Sequence, residues 1–534
     1  MKRAIMAAGL LVLAFQATAG AQDLRIGLGS AITSLDPQFH VVGSNSALAR
    51  NFFDGLVNQD DRQQIVAGIA DRWSVVEPTV WEFHLRPGLR FHNGQPVEAE
   101  DVAASLRRVP EVKNSPSSFL PFVRPITAVD VVDAGTVRIR TREPYPLLPN
   151  ALSRIAILPR TLEHADTAAF NDGSAMIGTG PLRFLRYAPG DRVEAEAAEP
   201  QPGAAPLPWK HVTFRFLTND AARVAALLSG DLDMIEQVPS ADIARLRHDG
   251  RVGIASGASN RIMYLHMDQA REHSPFVRGK DGQEIANPLR DPRVREALSL
   301  SINREALVER VMDGEGTPAG QLVPQGYFGF VPGIAAPKAD LAKARQLLAA
   351  AGLPNGFRMT LHVTNDRYPN DGRVGQALAQ MFTRAGIQTQ LEAQPGSVFF
   401  ARASNLDYSL IMGGAAAETG EASSVLRPLL ATWNPALGDG SGNRGRYSNP
   451  HFDAALHGAL NTVDDAKREG LLQEATSIAI GENAVIPLFS LANSWATAGR
   501  VHYRPRSDGY TLAINAMTGD ATTGDATTGD AGGK

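Results

Sequence analysis

Apolar and polar side chains alternate with period two or near 3.6 along most of this 534-residue chain. Residues 23–28 point alternately in and out, as a half-buried strand does, and Trp81, Phe83 and Leu85 repeat the pattern. Segments 126–132 and 136–141, joined by Asp133-Ala134-Gly135, predict a hairpin. Segments 181–187 and 193–197 predict another around Pro189-Gly190-Asp191. Asn219 is placed to cap a helix with Val224, Leu227 and Leu228 on one face, and Gly230 to end it. A short strand at 232–235 follows, so 212–235 reads strand, helix, strand, the signature of a crossover unit. Asp291-Pro292 predicts a helix start with Val294, Ala297, Leu298 and Ile302 inward, and Asn303 a second helix through Met312. Further helices are expected at 340–351, 373–385, 450–461 and 464–479, and strands at 357–363, 387–392, 406–411 and 485–489. The class is α/β with some antiparallel sheet. No Pro/Ser/Gly-rich linker interrupts the body, so separate lobes would require the chain to cross between them more than once.

The two ends differ from this body. Met1-Lys2-Arg3 is positive, 4–15 is an apolar run too short to span a bilayer, and Ala19-Gly20-Ala21 offers small residues to a signal peptidase. This pattern predicts a secretory leader cleaved after Ala21, without a cysteine for lipid attachment. From Thr518 the chain repeats TGDAT, TGDAT, TGDAG and ends Gly532-Gly533-Lys534, a tail with no large apolar side chain to offset the entropy of ordering.

Composition then narrows the chemistry. Absence of cysteine excludes thiol catalysis, zinc–thiolate sites and disulfides. Hydrophobic content of 43% with 20% charged residues is ordinary for a globular chain, and the length predicts about two to four folding units. Formal charge is −4, and loss of Lys2 and Arg3 with the leader would make it −6. Such a weakly acidic, mixed surface carries no footprint for nucleic acid.

A specific signature begins near residue 70. Ala70, Trp73, Trp81 and Phe83 lead into 85–97, LRPGLRFHNGQPV, followed by Glu100-Asp101-Val102 and Ser105-Leu106. Leu35-Asp36-Pro37, Gly178-Thr179-Gly180-Pro181, Ser229-Gly230-Asp231-Leu232-Asp233, the run 291–298 continuing into Ile302-Asn303-Arg304-Glu305, Tyr447–Asp453 and Ile486-Pro487-Leu488 come in order. The set, spanning about 23–517, closely resembles the peptide/nickel-type family of bacterial extracellular solute-binding proteins, family 5. Physical reasoning gives these residues scaffold roles: Gly88 and Gly94 suit tight turns, and Glu100-Asp101 suits a helix start.

The resemblance implies a two-lobed periplasmic binding protein with an additional inserted domain, closing on ligand between lobes. Lobe I would combine 22–50, 177–262 and 490–517. Residues 51–176 would form the inserted domain and 263–489 the opposing lobe. It implies a monomer that captures a peptide or peptide-like solute and delivers it to the membrane permease of an ABC importer. A sugar, opine, haem or nickel complex is the alternative cargo on the same fold.

Enzymatic readings find little support. G-x-S-x-G, H-E-x-x-H and the phosphate-loop pattern are absent, and Gly314–Ala319 follows a helix and contains Pro318, unlike a dinucleotide loop. A secreted hydrolase would need a nucleophile, base and oxyanion arrangement not visible here. His84 and His92 lie eight apart across a turn, and neither they nor any other cluster predicts a metal; no cofactor is expected. Peptide-binding relatives carry a segment like GWxADYxDP after a strand such as 406–412, whose aspartate meets the peptide's α-amino group. Here 413–424 reads GGAAAETGEASS, without the tryptophan or the aspartate. Glu418 and Glu421 are therefore the candidate carboxylates, with Thr419 between them and Arg427, Trp433 and Asn434 beyond. Phe39 and His40, following Leu35-Asp36-Pro37, resemble the cleft edge of the first lobe.

Overall fold

The computed structural model describes residues 22–519; the expected leader and the tail from residue 520 onward lie outside them. Most of the expected elements are present, and their punctuation works as the side chains predict. Asn219 accepts the Ala222 N–H to start helix Asp220–Ser229, and Gly230 ends it in the left-handed conformation, φ 83°. Asp291 accepts from Arg293 N–H ahead of Pro292–Leu300. Asn449 caps Pro450–Leu460 and Asp464 caps Asp465–Gly481.

A 12-stranded mixed sheet runs through the molecule. Gln22–Leu28 lies between Trp209–Phe216 and Met234–Glu236, parallel to both. At the other end Arg358–Thr364 pairs in parallel with Gln388–Gln394 and Leu410–Ala416. Two long antiparallel strands, Val252–Met267 and Val485–Ala498, join the two halves. Their register slips between Ala258 and Ile262, and again between Met263 and Tyr264. Such bulges bend a strand and re-aim its side chains. A separate four-stranded antiparallel sheet holds Ala70–Glu77, Val80–Leu85, Thr136–Thr141 and Ile126–Asp133.

Apolar burial divides accordingly. One cluster centres on Leu24, Phe52, Trp209, Phe214 and Trp495, a second on Phe83, Phe91, Val102 and Ile139, and two more on Leu361, Phe382 and Leu410 and on Leu426, Phe452 and Leu472. The signature residues are scaffold. Gly88 and Gly94 hold φ of 79° and 83° in turns beside buried Phe91. Glu98 and Asp101 form a capping box on helix Ala99–Arg108. Asp36 grips Arg108 through two bonds of 2.7 and 3.0 Å, both side chains fully enclosed, which pins the segment after the first strand to that helix.

Five differences from the expected elements bear on the site. Val252–Met267, a 16-residue strand, was not predicted: its first half is Gly/Ser-rich and gains its partner only from far along the chain. The 485–489 strand continues to Ala498. After Arg304–Ala306 the expected second helix widens into a π-helical turn, Leu307–Val311. Finally, Leu410–Ala416 carries the Gly-rich segment as strand, and Gly396–Ser404 adds a helix not expected from the pattern.

Candidate functional site

The residues expected to form the site are dispersed and engaged elsewhere. The Glu421 carboxylate is buried, accepting from Ser423 Oγ and from the Arg468 guanidinium, whose own side chain is 8% exposed and stacks 4.2 Å over Phe328. An unpaired buried guanidinium would be costly, and this is the reason Glu421 turns inward instead of toward a cleft. Glu418 is 61% exposed and lies 3.6 Å from Arg154. Its backbone carbonyl accepts from Gln63 Nε2 and Arg154 Nη2, and that of Thr419 from Asn150 Nδ2, so the loop serves as the docking point for the 51–176 segment. Gly420, φ 78°, is required here, because a Cβ would stand 2.3 Å from Gln63 O.

Arg427 pairs with Asp439 at 2.7 Å and Asn434 closes a turn with Asp439. Trp433 is exposed under the Arg446 guanidinium. His40 Nδ1 meets Thr33 Oγ1 at 2.9 Å, and Phe39 O accepts from Ser115. None of the eight lines the large cavity described next.

A cavity of about 810 Å³ opens where the two long strands leave the bulge. Leu491–Trp495 and Ser259 and Arg261 form its floor. Val42–Ser44 and Glu236–Ser240 approach from the side of the first strand; Arg367–Asn370, Met312 and Glu315 approach from the opposite side. Bonds cross it at one edge: Asn370 Nδ2 donates to Ser240 Oγ at 3.3 Å and Arg247 to Glu315 at 2.9 Å. Gln237 and Asn370, both on this lining, hold φ of 51° and 56°, a conformation non-glycine residues adopt at a cost.

The glycines that replace the tryptophan position explain one wall. A Cβ on Gly414 would lie 2.9 Å from the Tyr368 ring, and the Tyr368 hydroxyl accepts the Gly414 N–H at 3.2 Å. Tyr368 thus occupies space that a large residue at 414 would claim.

The charges around the cavity are unevenly matched. Asp220, Glu315 and Asp508 are each paired with an arginine, Arg223, Arg247 and Arg506, at 2.8, 2.9 and 2.7 Å. Glu236 is buried with no ion-pair partner among the described residues. Burial pushes its carboxyl upward, opposed by the Thr511 hydroxyl and the Gly29 N–H that it accepts. Arg261 and Arg367 form no ion pair among the described residues. Arg261 offers one long 3.5 Å bond to Gly414 O, and Arg367 lies 5.6 Å from the Tyr368 ring. Sequence reading missed all three: Arg261 sits in a strand not foreseen, Glu236 and Arg367 in segments with no distinguishing motif.

Two parts of one sheet joined by crossing strands, with a cavity at the crossing, define a ligand-enclosing receptor of the periplasmic binding class. Comparison with known proteins narrows this. The profile of bacterial extracellular solute-binding proteins, family 5 (middle region), matches residues 64–436, and the chain belongs to that family, which supplies the solute-binding components of ABC importers. Glutathione-binding protein GsiB of Escherichia coli (strain K12) is 29% identical over 514 residues, covering 91% of this chain and 94% of that one. GsiB of Pectobacterium atrosepticum is 28% identical over 467 residues, with 85% and 86% covered. Among solved structures, HbpA2 from Haemophilus parasuis superposes with TM-score 0.80 at 21% identity, over 93% of this chain and 100% of that chain. The periplasmic murein tripeptide-binding protein MppA, in its unliganded open form, gives 0.78 at 22%, over 94% and 98%. Among the described residues no helix is long and apolar enough to cross a membrane.

Proposed function

We propose that this protein captures a short peptide in the cavity at the crossing strands and hands it, unchanged, to the permease of an ABC importer. The observation that carries this reading is the cavity itself. Its ~810 Å³ falls within the range of about 300–1,000 Å³ usual for small-molecule sites, and its lining mixes apolar surface with unspent polar groups. The similarity to glutathione- and tripeptide-binding proteins supports a peptide of two or three residues.

In this reading the lobes are 22–50 with 177–262 and 490–517, and 263–489, with 51–176 inserted. They close about Val252–Met267 and Val485–Ala498, and the apolar clusters of 263–489, apart from those of the rest of the chain, support the division from that lobe. An α-ammonium group is met by Glu236, the acidic lining residue outside any ion pair among the described residues, and not by Glu418 or Glu421. The protein acts as a monomer in the periplasm after removal of residues 1–21.

Mass spectrometry of solute carried through purification and released by denaturation tests the reading. A di- or tripeptide in near-stoichiometric amount is the expected result. Recovery of a sugar or a metal complex instead would replace the cargo. Repeated turnover of the recovered solute would replace the receptor by an enzyme.

A further inference from the structure

Charge around the cavity goes beyond saying that a peptide fits. Six acidic or basic side chains line it: Asp220, Glu236, Arg261, Glu315, Arg367 and Asp508. Three of the four acids are already neutralised by arginines, as described above. Both lining arginines are left without a carboxylate among the described residues, and both belong to the wall around Gly414. Arg261 reaches the Gly414 carbonyl from the bulged strand, whose slip between Ala258 and Ile262 sets its direction. Arg367 reaches the same wall beside Tyr368, whose hydroxyl lies 3.4 Å from that carbonyl.

Two guanidinium groups facing one cavity without counter-charge, Arg261 half-buried and Arg367 exposed, favour an anionic ligand there. Arginine's planar fork matches a carboxylate through two parallel bonds, whereas neutral peptide groups offer only single acceptors. The lining therefore presents two unmatched positive charges against one unmatched acid, Glu236.

We propose that the receptor selects peptides carrying two carboxylates, one neutralised at Arg261 and one at Arg367. A zwitterionic peptide with a neutral side chain leaves one arginine unsatisfied. A peptide with an acidic residue, or with a γ-linked glutamyl group, satisfies both and places its ammonium at Glu236. The inference rests on the peptide-receptor reading and adds the charge class of the cargo.

Calorimetry on the mature chain, freed of bound solute by reversible denaturation, tests it with isosteric probes. Glutathione and Glu-Ala-Gly supply two carboxylates. Gln-Ala-Gly and the glycinamide form of each dicarboxylate peptide supply one. Each dicarboxylate probe should bind at least about tenfold more tightly than its one-carboxylate partner, the scale of a lost desolvated charge contact. Arg261→Gln and Arg367→Gln should each erase the preference for one of the two carboxylates, and the one that removes the partner of the C-terminal carboxylate should also weaken Gln-Ala-Gly by at least about tenfold. Arg261→Lys, which keeps the charge and loses the fork, should retain part of it. Unaltered thermal unfolding of the three variants shows that they fold. Equal affinity for all probes, or a preference that survives both substitutions, overturns the charge assignment while the peptide reading stands. Tighter binding of phosphoseryl-Ala-Gly amide than of Glu-Ala-Gly overturns the carboxylate in favour of a phosphate. Failure of every peptide to bind overturns the peptide reading and the inference together.

Discussion

Removing Glu421 should unfold, locally, the part of the protein it belongs to and leave ligand recognition intact. Its carboxylate is 3% exposed and its partner Arg468 only 8%. Glu421→Ala would strand the Arg468 charge, since the other acid in reach, Asp465, is 3.5 Å away, 81% exposed and screened by solvent. Arg468 Nε already lacks a hydrogen-bond partner, so the site holds no spare acceptor. Breaking a buried pair from one side costs about 3–5 kcal/mol, roughly two to three and a half orders of magnitude in the opening equilibrium. Glu421→Gln keeps the shape and the bond to Ser423, and should cost about 1–3 kcal/mol. Pairing Glu421→Ala with Arg468→Met removes both charges and should recover more than half of the loss, the sign of direct coupling. Because a chain of several lobes need not unfold in one step, the readout is hydrogen exchange of helices Ser423–Leu430 and Asp465–Gly481. Faster exchange there, with ligand affinity unchanged in calorimetry, is expected. Unchanged protection together with a tenfold or greater loss of affinity would refute the argument and return Glu421 to the ligand site.

Glu418→Gln should change stability by no more than about 1 kcal/mol, as exposed pairs do, and should weaken free and N-acetylated peptides equally in calorimetry. Gly420→Ala should loosen the docking of the 51–176 segment, read as faster exchange at Gln63 and Asn150, because the added Cβ meets Gln63 O. Burial holds His266 down to about 3, so the unfolded chain takes up a proton that the native state refuses. Stability is therefore full above about pH 6.5 and falls as pH drops toward 3; acid titrations of His266→Asn should show a shallower slope over that window. N-terminal sequencing of exported protein should begin at Gln22.

Local chemistry in the sequence was enough for most elements and for the family. Caps such as Asn219, Asp291 and Asn449 act through bonds to residues two or three positions away, and the turn glycines 88 and 94 act through their own φ. Signals of that range survive in a linear string. The crossing strand Val252–Met267 does not, because its pairing with Val485–Ala498 draws on residues over two hundred positions apart and its Gly/Ser-rich first half has no periodicity of its own. The bulge in that pairing, and with it the direction of Arg261, is a property of two strands together. Glu421 shows the reverse case. Its motif position suggests a ligand contact, yet Arg468, forty-seven residues on, claims its charge. Which carboxylates are spent on the scaffold and which charges remain for a ligand depends on three-dimensional proximity, and only the tertiary structure decides it.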